Sequence, residues 1–150
     1  MLDPLGHCQP LPIRQRYFPL GFPLDLKTNS KDVVAAADAG WGEFREAFQT
    51  PPAELRVAVE PLPHDRPPRE GQEPVFRAQG HVFTLVLDAH NSAACDLDRC
   101  FGFGTFTPAV AANHLFLSFY FLDPLAYVCL SQRYLTPIHA ACVARNGRGI

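Results

Sequence analysis

From residue 30 onward the apolar positions Val33, Ala37, Trp41, Phe44 and Phe48 recur every three or four residues, the period of one helical face. Thr28-Asn29-Ser30 just ahead is a helix start signal, with Asn29 or Ser30 as the cap. Thr50-Pro51-Pro52 is the matching stop. Gly40 and Gly42 each weaken such a helix by about 1 kcal/mol relative to Ala, so Trp41 is expected to anchor it against a sheet. Upstream, Tyr17 to Lys27 sets Leu24 and Leu26 in alternation among aromatics and prolines. An edge strand fits, because proline is tolerated there. Residues 1–16 read as a loose lead-in.

Past the helix the period drops to two. Leu55, Val57 and Val59 alternate with Arg56, Ala58 and Glu60, which predicts a half-buried strand. Residues 61–74 hold five prolines and mixed charges and read as a surface loop or tether. Val75 to Ala78 and His81 to Leu87 read as a strand pair around Gln79-Gly80, and Asp88 to Ser92 as a turn. Ala94 to Phe106 reads as one long extended stretch with Cys95, Leu97, Phe101 and Phe103 on one face. Successive strands of this kind predict an antiparallel meander.

Thr107-Pro108 then predicts a helix, with Thr as cap and Pro at the first helical position. It is expected to run to about Leu122 and, being apolar nearly all round, to be deeply buried. Asp123-Pro124 repeats the signal and predicts a second buried helix to about Gln132. Leu135 to Ala144 reads as a strand, and Asn146-Gly147 after it is a strong hairpin signal. The return strand is expected to begin at Gly149-Ile150, where the chain stops, so a fragment is expected, with an unpaired strand edge, marginal stability and exposed apolar surface. The predicted fold class is α+β, an antiparallel meander with an amphipathic N-terminal helix and two buried helices. The predicted division is a lead-in over 1–16, an α+β region over 17–134, and an incomplete further unit over 135–150.

Composition narrows the classes. Hydrophobic residues make up 47% of the chain, with 12 phenylalanines, which excludes a disordered polymer. The formal charge of −2 gives no bulk signal for nucleic acid or an anionic membrane, so neither is expected as a partner. Leu115 to Leu130 is the most apolar run, but it is shorter than the ~20 residues a spanning helix needs, and Asp123-Pro124 interrupts it. Five cysteines, an odd number without a CxxC pair, predict a reducing compartment rather than a disulfide framework. With no signal-peptide pattern in residues 1–15, a cytoplasmic location is expected.

Candidate chemistry is sparse. Cys95, Asp96, Asp98 and Cys100 are close in sequence, but on a strand Cys95 points away from the other three, which does not make a tetrahedral zinc site. His81, His90 and His114 read as structural histidines. Gly102-Phe103-Gly104 lacks the third glycine of a dinucleotide fingerprint and reads as strand glycines permitting close packing. Neither a GxSxG elbow nor a Gly-x4-Gly-Lys-Ser/Thr phosphate loop is present. No catalytic, cofactor-binding or metal-binding residue is therefore assigned on chemistry alone. A metal-dependent hydrolase built from the scattered His and Asp residues is the weakest of the classes considered.

The run Leu135-Thr136-Pro137-Ile138-His139-Ala140-Ala141-Cys142-Val143-Ala144 with its turn at Asn146 to Gly149 is the most informative segment. It resembles the stretch just ahead of the phosphate loop in bacterial HPr kinase/phosphorylase-like proteins, of the phosphoenolpyruvate-carboxykinase type. There a strand of the form Ile/Leu-His-Ala/Gly-x-x-Val and a glycine-containing turn precede the loop. The specific likeness covers residues 107–150; residues 17–106 match only in general layout. The resemblance implies that 135–150 begin a P-loop kinase core and that the parent protein is a serine kinase. ATP and Mg²⁺ would be its cofactors, and a protein or small-molecule hydroxyl its phosphoryl acceptor. It carries over one near-site position, His139. It also implies that this chain, lacking the loop, is inactive and needs no cofactor of its own, its partner being the missing C-terminal kinase core. The rival reading is a self-contained, non-enzymatic binding or regulatory module with an aromatic-lined face.

Overall fold

The computed structural model describes residues 9–136 together with 144–145 and 148–149. The strands are β1 (Ile13–Tyr17), β2 (Leu24–Thr28), β3 (Ala53–Val59), β4 (Val75–Gln79), β5 (Val82–Val86), β6 (Ser92–Asp96) and β7 (Phe101–Phe106). Helix α1 (Lys31–Trp41) lies between β2 and β3; α2 (Pro108–Ala111), α3 (His114–Leu117) and α4 (Asp123–Arg133) follow β7. The seven strands form one mixed sheet in the order β1-β2-β3-β7-β6-β5-β4. The fold is therefore α+β, as predicted. The meander is present as β4 to β7, antiparallel throughout, while β2, β3 and β7 run parallel at the centre.

Two parallel connections explain the chain's long irregular segments. β2 reaches β3 through α1, as parallel neighbours require a crossover. β3 reaches β7 only after the chain has travelled to the far edge of the sheet and returned through the meander. That trip crosses several strand spacings of about 4.8 Å each, which is the work of the proline-rich loop 60–74.

The two faces of the sheet differ. Leu24 and Leu26 of β2, Leu55 and Val57 of β3, and Ala93 and Cys95 of β6 point into the core under the helices. Val33, Ala37 and Trp41 come down from α1, and Leu117, Phe121, Leu125 and Cys129 from the C-terminal helical run. The glycines of β7 let these layers meet. A Cβ on Gly104 would lie 2.8 Å from the Phe106 ring and 3.1 Å from the Ala93 Cβ; one on Gly102 would lie 2.9 Å from Leu55. The reading of these glycines as close-packing positions agrees with that geometry.

Several expectations are corrected. The edge strand is Ile13–Tyr17, within and just past the predicted lead-in, and Tyr17 to Lys27 is not one strand. Pro19 and Gly21, the latter at φ +89°, turn the chain between β1 and β2. Ser30 is the cap of α1, accepting from the Asp32 N–H, but the helix ends at Trp41 rather than near residue 49. Phe48 leaves the helical face to stack on Phe22 at 4.2 Å, and Phe22 stacks in turn on Tyr134.

Ala94 to Phe106 is two strands rather than one stretch. Asp96 accepts from the Asp98 and Arg99 N–H groups, and Cys100 turns at φ +50°. The reversal puts Cys95, Leu97 and Cys100 in the core and swings Phe101 and Phe103 to the other face. Beyond β7, the expected single helix over 108–122 breaks at Asn113, whose side chain accepts from the Phe116 N–H. The expected new start at Asp123-Pro124 does not occur. A π turn over Ser118–Leu122 carries α3 directly into α4, the Asp123 N–H reaching the Ser118 carbonyl. The wider register accommodates the hydrogen bond that Pro124 cannot donate. His114–Arg133 is consequently one helix of 20 residues, long and apolar enough to cross a membrane by length and composition. Its inner side is core, while Leu115 and Phe119 are exposed, so it is less deeply buried than predicted. After it, β8 (Ala144–Arg145) pairs antiparallel with β9 (Arg148–Gly149), as the Asn-Gly signal predicts. Most of the predicted strand 135–144, including His139, lies outside the described residues.

At the π turn α1 and the long helix come into close contact. Trp41 Nε1 donates to Asp123 Oδ1 at 2.7 Å, and a Cβ on Gly40 would meet the Ser118 Oγ at 2.7 Å. Burial pushes the Asp123 carboxyl above its usual range, although Trp41 and Ser118 bond to its charged form. A carboxyl with a raised folded pKa adds stability below its unfolded value of about 3.9 and loses it as pH rises through the folded value. Asp123→Asn keeps an acceptor for Trp41 and removes the titration. Melts of both proteins between about pH 3.5 and 7 are expected to show the native chain losing stability relative to the variant as pH rises; parallel curves would refute the assignment. Gly104→Ala is expected to cost about 1–3 kcal/mol in urea unfolding through overpacking against Phe106 and Ala93.

Candidate functional site: the open face of the sheet

Among the described residues, no helix covers the face opposite α1 and α4. The strand register lays its side chains out in two rows. One row runs Lys27, Arg56, Phe103, Ala94, Thr84 and Arg77 from β2 to β4. The next runs Asp25, Glu54, Phe101, Asp96, Val82 and Gln79. Charge thus occupies the β1–β3 side, while β7, β6 and β5 present Phe101, Phe103, Ala94 and Val82 with Asp96 and Thr84 among them.

Where the two zones meet there is an open concavity of about 810 Å³, bordered by Glu54, Arg56, Asp96, Arg99, Phe101 and Phe103. That volume is in the range of small-molecule and cofactor sites. The Phe101 and Phe103 rings, two residues apart on one strand, have centroids 6.4 Å apart and tilt by 32°. On one flank Lys27 binds Glu54 at 2.8 Å, with Arg56 at 4.0 Å from the same oxygen. On the other, Arg99 holds Asp96 at 2.5 Å, and this hydrogen bond keeps the Asp96 carboxyl below its usual range. At the outer edge Arg16 makes a two-pronged contact with Asp25, at 2.7 and 2.9 Å. The floor offers stacking and charge pairing.

The residues considered from sequence do not converge. Cys95 and Cys100 are buried thiols on the core side, Asp96 is on the open face, and Asp98 lies in an exposed turn. The view that only Cys95 points away from the other three is therefore corrected, because the turn at Cys100 resets the side-chain alternation. Among the described residues no group of three or more His, Cys, Asp or Glu side chains could hold a metal. His114 pairs with Asp32 of α1 at 2.9 Å, tying two helices together. Phe101 and Phe103 were missed as a surface pair. The signal that finds them is Asp96-Leu97-Asp98-Arg99, a turn sequence that splits the stretch and leaves Gly102, Gly104 and Phe106 alternating inward.

No protein-family profile, no curated protein and no solved structure matches this chain.

The open face should bind an apolar reporter dye in the native state. Anilinonaphthalene sulfonate fluorescence is expected to rise with native protein and to fall by about half in a Phe101→Ala/Phe103→Ala variant that still melts cooperatively. An unchanged signal would place the dye on the exposed Phe76, Leu115 or Phe119 instead.

Proposed function

We propose that this chain is the N-terminal part of an HPr-kinase-like, ATP-dependent serine kinase of bacterial, cytoplasmic type, and that it is not catalytic by itself. The single observation behind this reading is the run 135–150. Its Leu-Thr-Pro-Ile-His-Ala-Ala sequence resembles the strand ahead of a phosphate loop, and Ala144 pairs with Gly149 on either side of the position where that family carries a turn. In such kinases backbone N–H groups of the loop cradle the nucleotide, a Lys pairs with phosphate oxygens and a Ser/Thr holds Mg²⁺. Residues 1–150 have no Gly-x4-Gly-Lys-Ser/Thr sequence, so ATP and Mg²⁺ belong to the parent protein, as does the protein or small-molecule acceptor. His139 is the one residue of this chain assigned near that site.

The second reading, a non-enzymatic binding module, is favoured by the aromatic concavity on the open sheet face. Two measurements separate the readings. The kinase reading expects in-frame codons for a strand and Gly-x4-Gly-Lys-Ser/Thr downstream of Ile150; a stop codon there would end it. Calorimetry of residues 1–150 with Mg-ATP is expected to show no binding in the micromolar range. Tight binding would overturn the assignment of the nucleotide site to residues beyond these.

A further inference from the structure

We propose that the open sheet face is a binding surface for single-stranded nucleic acid, with Phe101 and Phe103 as the stacking platform for two successive bases. The inference does not depend on the kinase reading.

The first support is the placement of aromatics along β7. From Arg99 the chain reads Arg-Cys-Phe-Gly-Phe-Gly-Thr-Phe. Sheets that bind single-stranded RNA carry a strand of the pattern Lys/Arg-Gly-Phe/Tyr-Gly/Ala-Phe-Val-x-Phe/Tyr, in which two outward aromatics stack bases. Here Arg99, Phe101, Gly102, Phe103 and Phe106 fit that pattern. Cys100 stands where the pattern has glycine, and it adopts the positive φ of +50° that glycine favours. Gly104 replaces the valine. The inward and outward sides agree with the same use: Phe101 and Phe103 face the concavity, while Phe106 is fully buried against Phe121 at 4.7 Å.

The second support is charge. The whole chain is −2, yet cations outnumber carboxylates on this face among the described residues. Arg16, Lys27, Arg56 and Arg99 sit beside carboxylates, and the excess is at the edge strands, with Arg14 and Arg77. Arg14, Arg16, Lys27, Arg56 and Arg77 share its rows, with Arg99 at the rim, against Asp25, Glu54 and Asp96. Cations flanking a pair of half-buried, outward-facing rings complement a phosphate backbone with unstacked bases. The formal balance of the whole sequence hides this asymmetry, which is why it predicts no such partner. The fold around the platform is not the four-stranded sheet of known RNA-recognition domains; only the strand's chemistry is shared.

Fluorescence anisotropy of the 150-residue chain with fluorescein-labelled decauridine RNA and decathymidine DNA tests this. At about 50 mM salt, saturable binding is expected with a Kd on the order of 10 µM, weakening as salt rises. Phe101→Ala and Phe103→Ala are each expected to weaken it about tenfold, whereas Phe→Tyr at either position retains it. Arg77→Glu is expected to weaken binding and flatten the salt dependence. Similar affinity for RNA and DNA assigns recognition to base stacking; a preference for RNA adds a contact to the 2′-hydroxyl. If the alanine variants fail to fold, ultraviolet cross-linking of the native chain must place the adduct within residues 99–105. No binding up to about 100 µM at low salt, equal binding of duplex RNA, affinity unchanged by loss of the rings in folded variants, or adducts elsewhere would each overturn the proposal.

Discussion

The parallel pairing of β3 with both β2 and β7 is the constraint from which the rest of this fold follows. Parallel strands need long connections, and sheets built from them are normally covered on both faces. This chain supplies the connections with α1 on one side and the whole β4–β7 meander on the other. It covers only one face with described helices. The uncovered face is therefore the unusual feature, and its side chains divide the task of meeting solvent. Over β1 to β3 they are charges in mutual contact, Lys27 with Glu54 and Arg16 with Asp25. Over β7 they are two phenylalanines beside a concavity.

The covered face depends on what β7 lacks. Gly102 and Gly104 leave room for Leu55 and for the Phe106 ring, so the helical layer can approach a central parallel pair. Since strand side chains alternate, giving the inward positions to glycine assigns Phe101 and Phe103 to the outward ones. The same alternation thus produces the tight core and the outward-facing, half-buried rings. The register is set upstream by the turn in which Asp96 gathers the Asp98 and Arg99 N–H groups and Cys100 takes a left-handed conformation. A slip of one residue there would bury the rings and expose Phe106.

Local patterns made the element types legible. The Ser30 cap, the alternation in β3, the β4–β5 hairpin at Gly80 and the pairing of β8 with β9 each rest on residues a few positions apart. What failed depends on partners far away in sequence. Phe44 and Phe48 keep a helical spacing, but Phe48 stacks on Phe22, and the helix stops at Trp41. Asp123-Pro124 is a sound local start signal, yet Trp41 claims the aspartate, and the π turn carries the helix through the proline. The parallel order of the central strands was not legible either, because no short pattern distinguishes a meander returning to β3 from one standing alone. The face bearing Phe101 and Phe103 became visible only once the turn at Leu97 to Cys100 was placed.

That turn also changes how the chain's charge is to be understood. A net charge near zero describes long-range attraction, and at physiological salt that attraction is screened beyond about 8 Å. Within such a distance only the local arrangement counts, and here it is two arginines, Arg56 and Arg99, each beside a carboxylate, around two rings. Arg99 belongs to the turn and to the rim at once. It bonds Asp96, whose carboxylate holds the turn, and it borders the concavity beside Phe101. An anionic ligand reaching Arg99 would compete with Asp96 for the guanidinium. The backbone N–H bonds of Asp98 and Arg99 to Asp96 would keep the turn closed while the arginine exchanged partners. The device that orients the rings can therefore survive the exchange, and the same short segment can serve both folding and recognition.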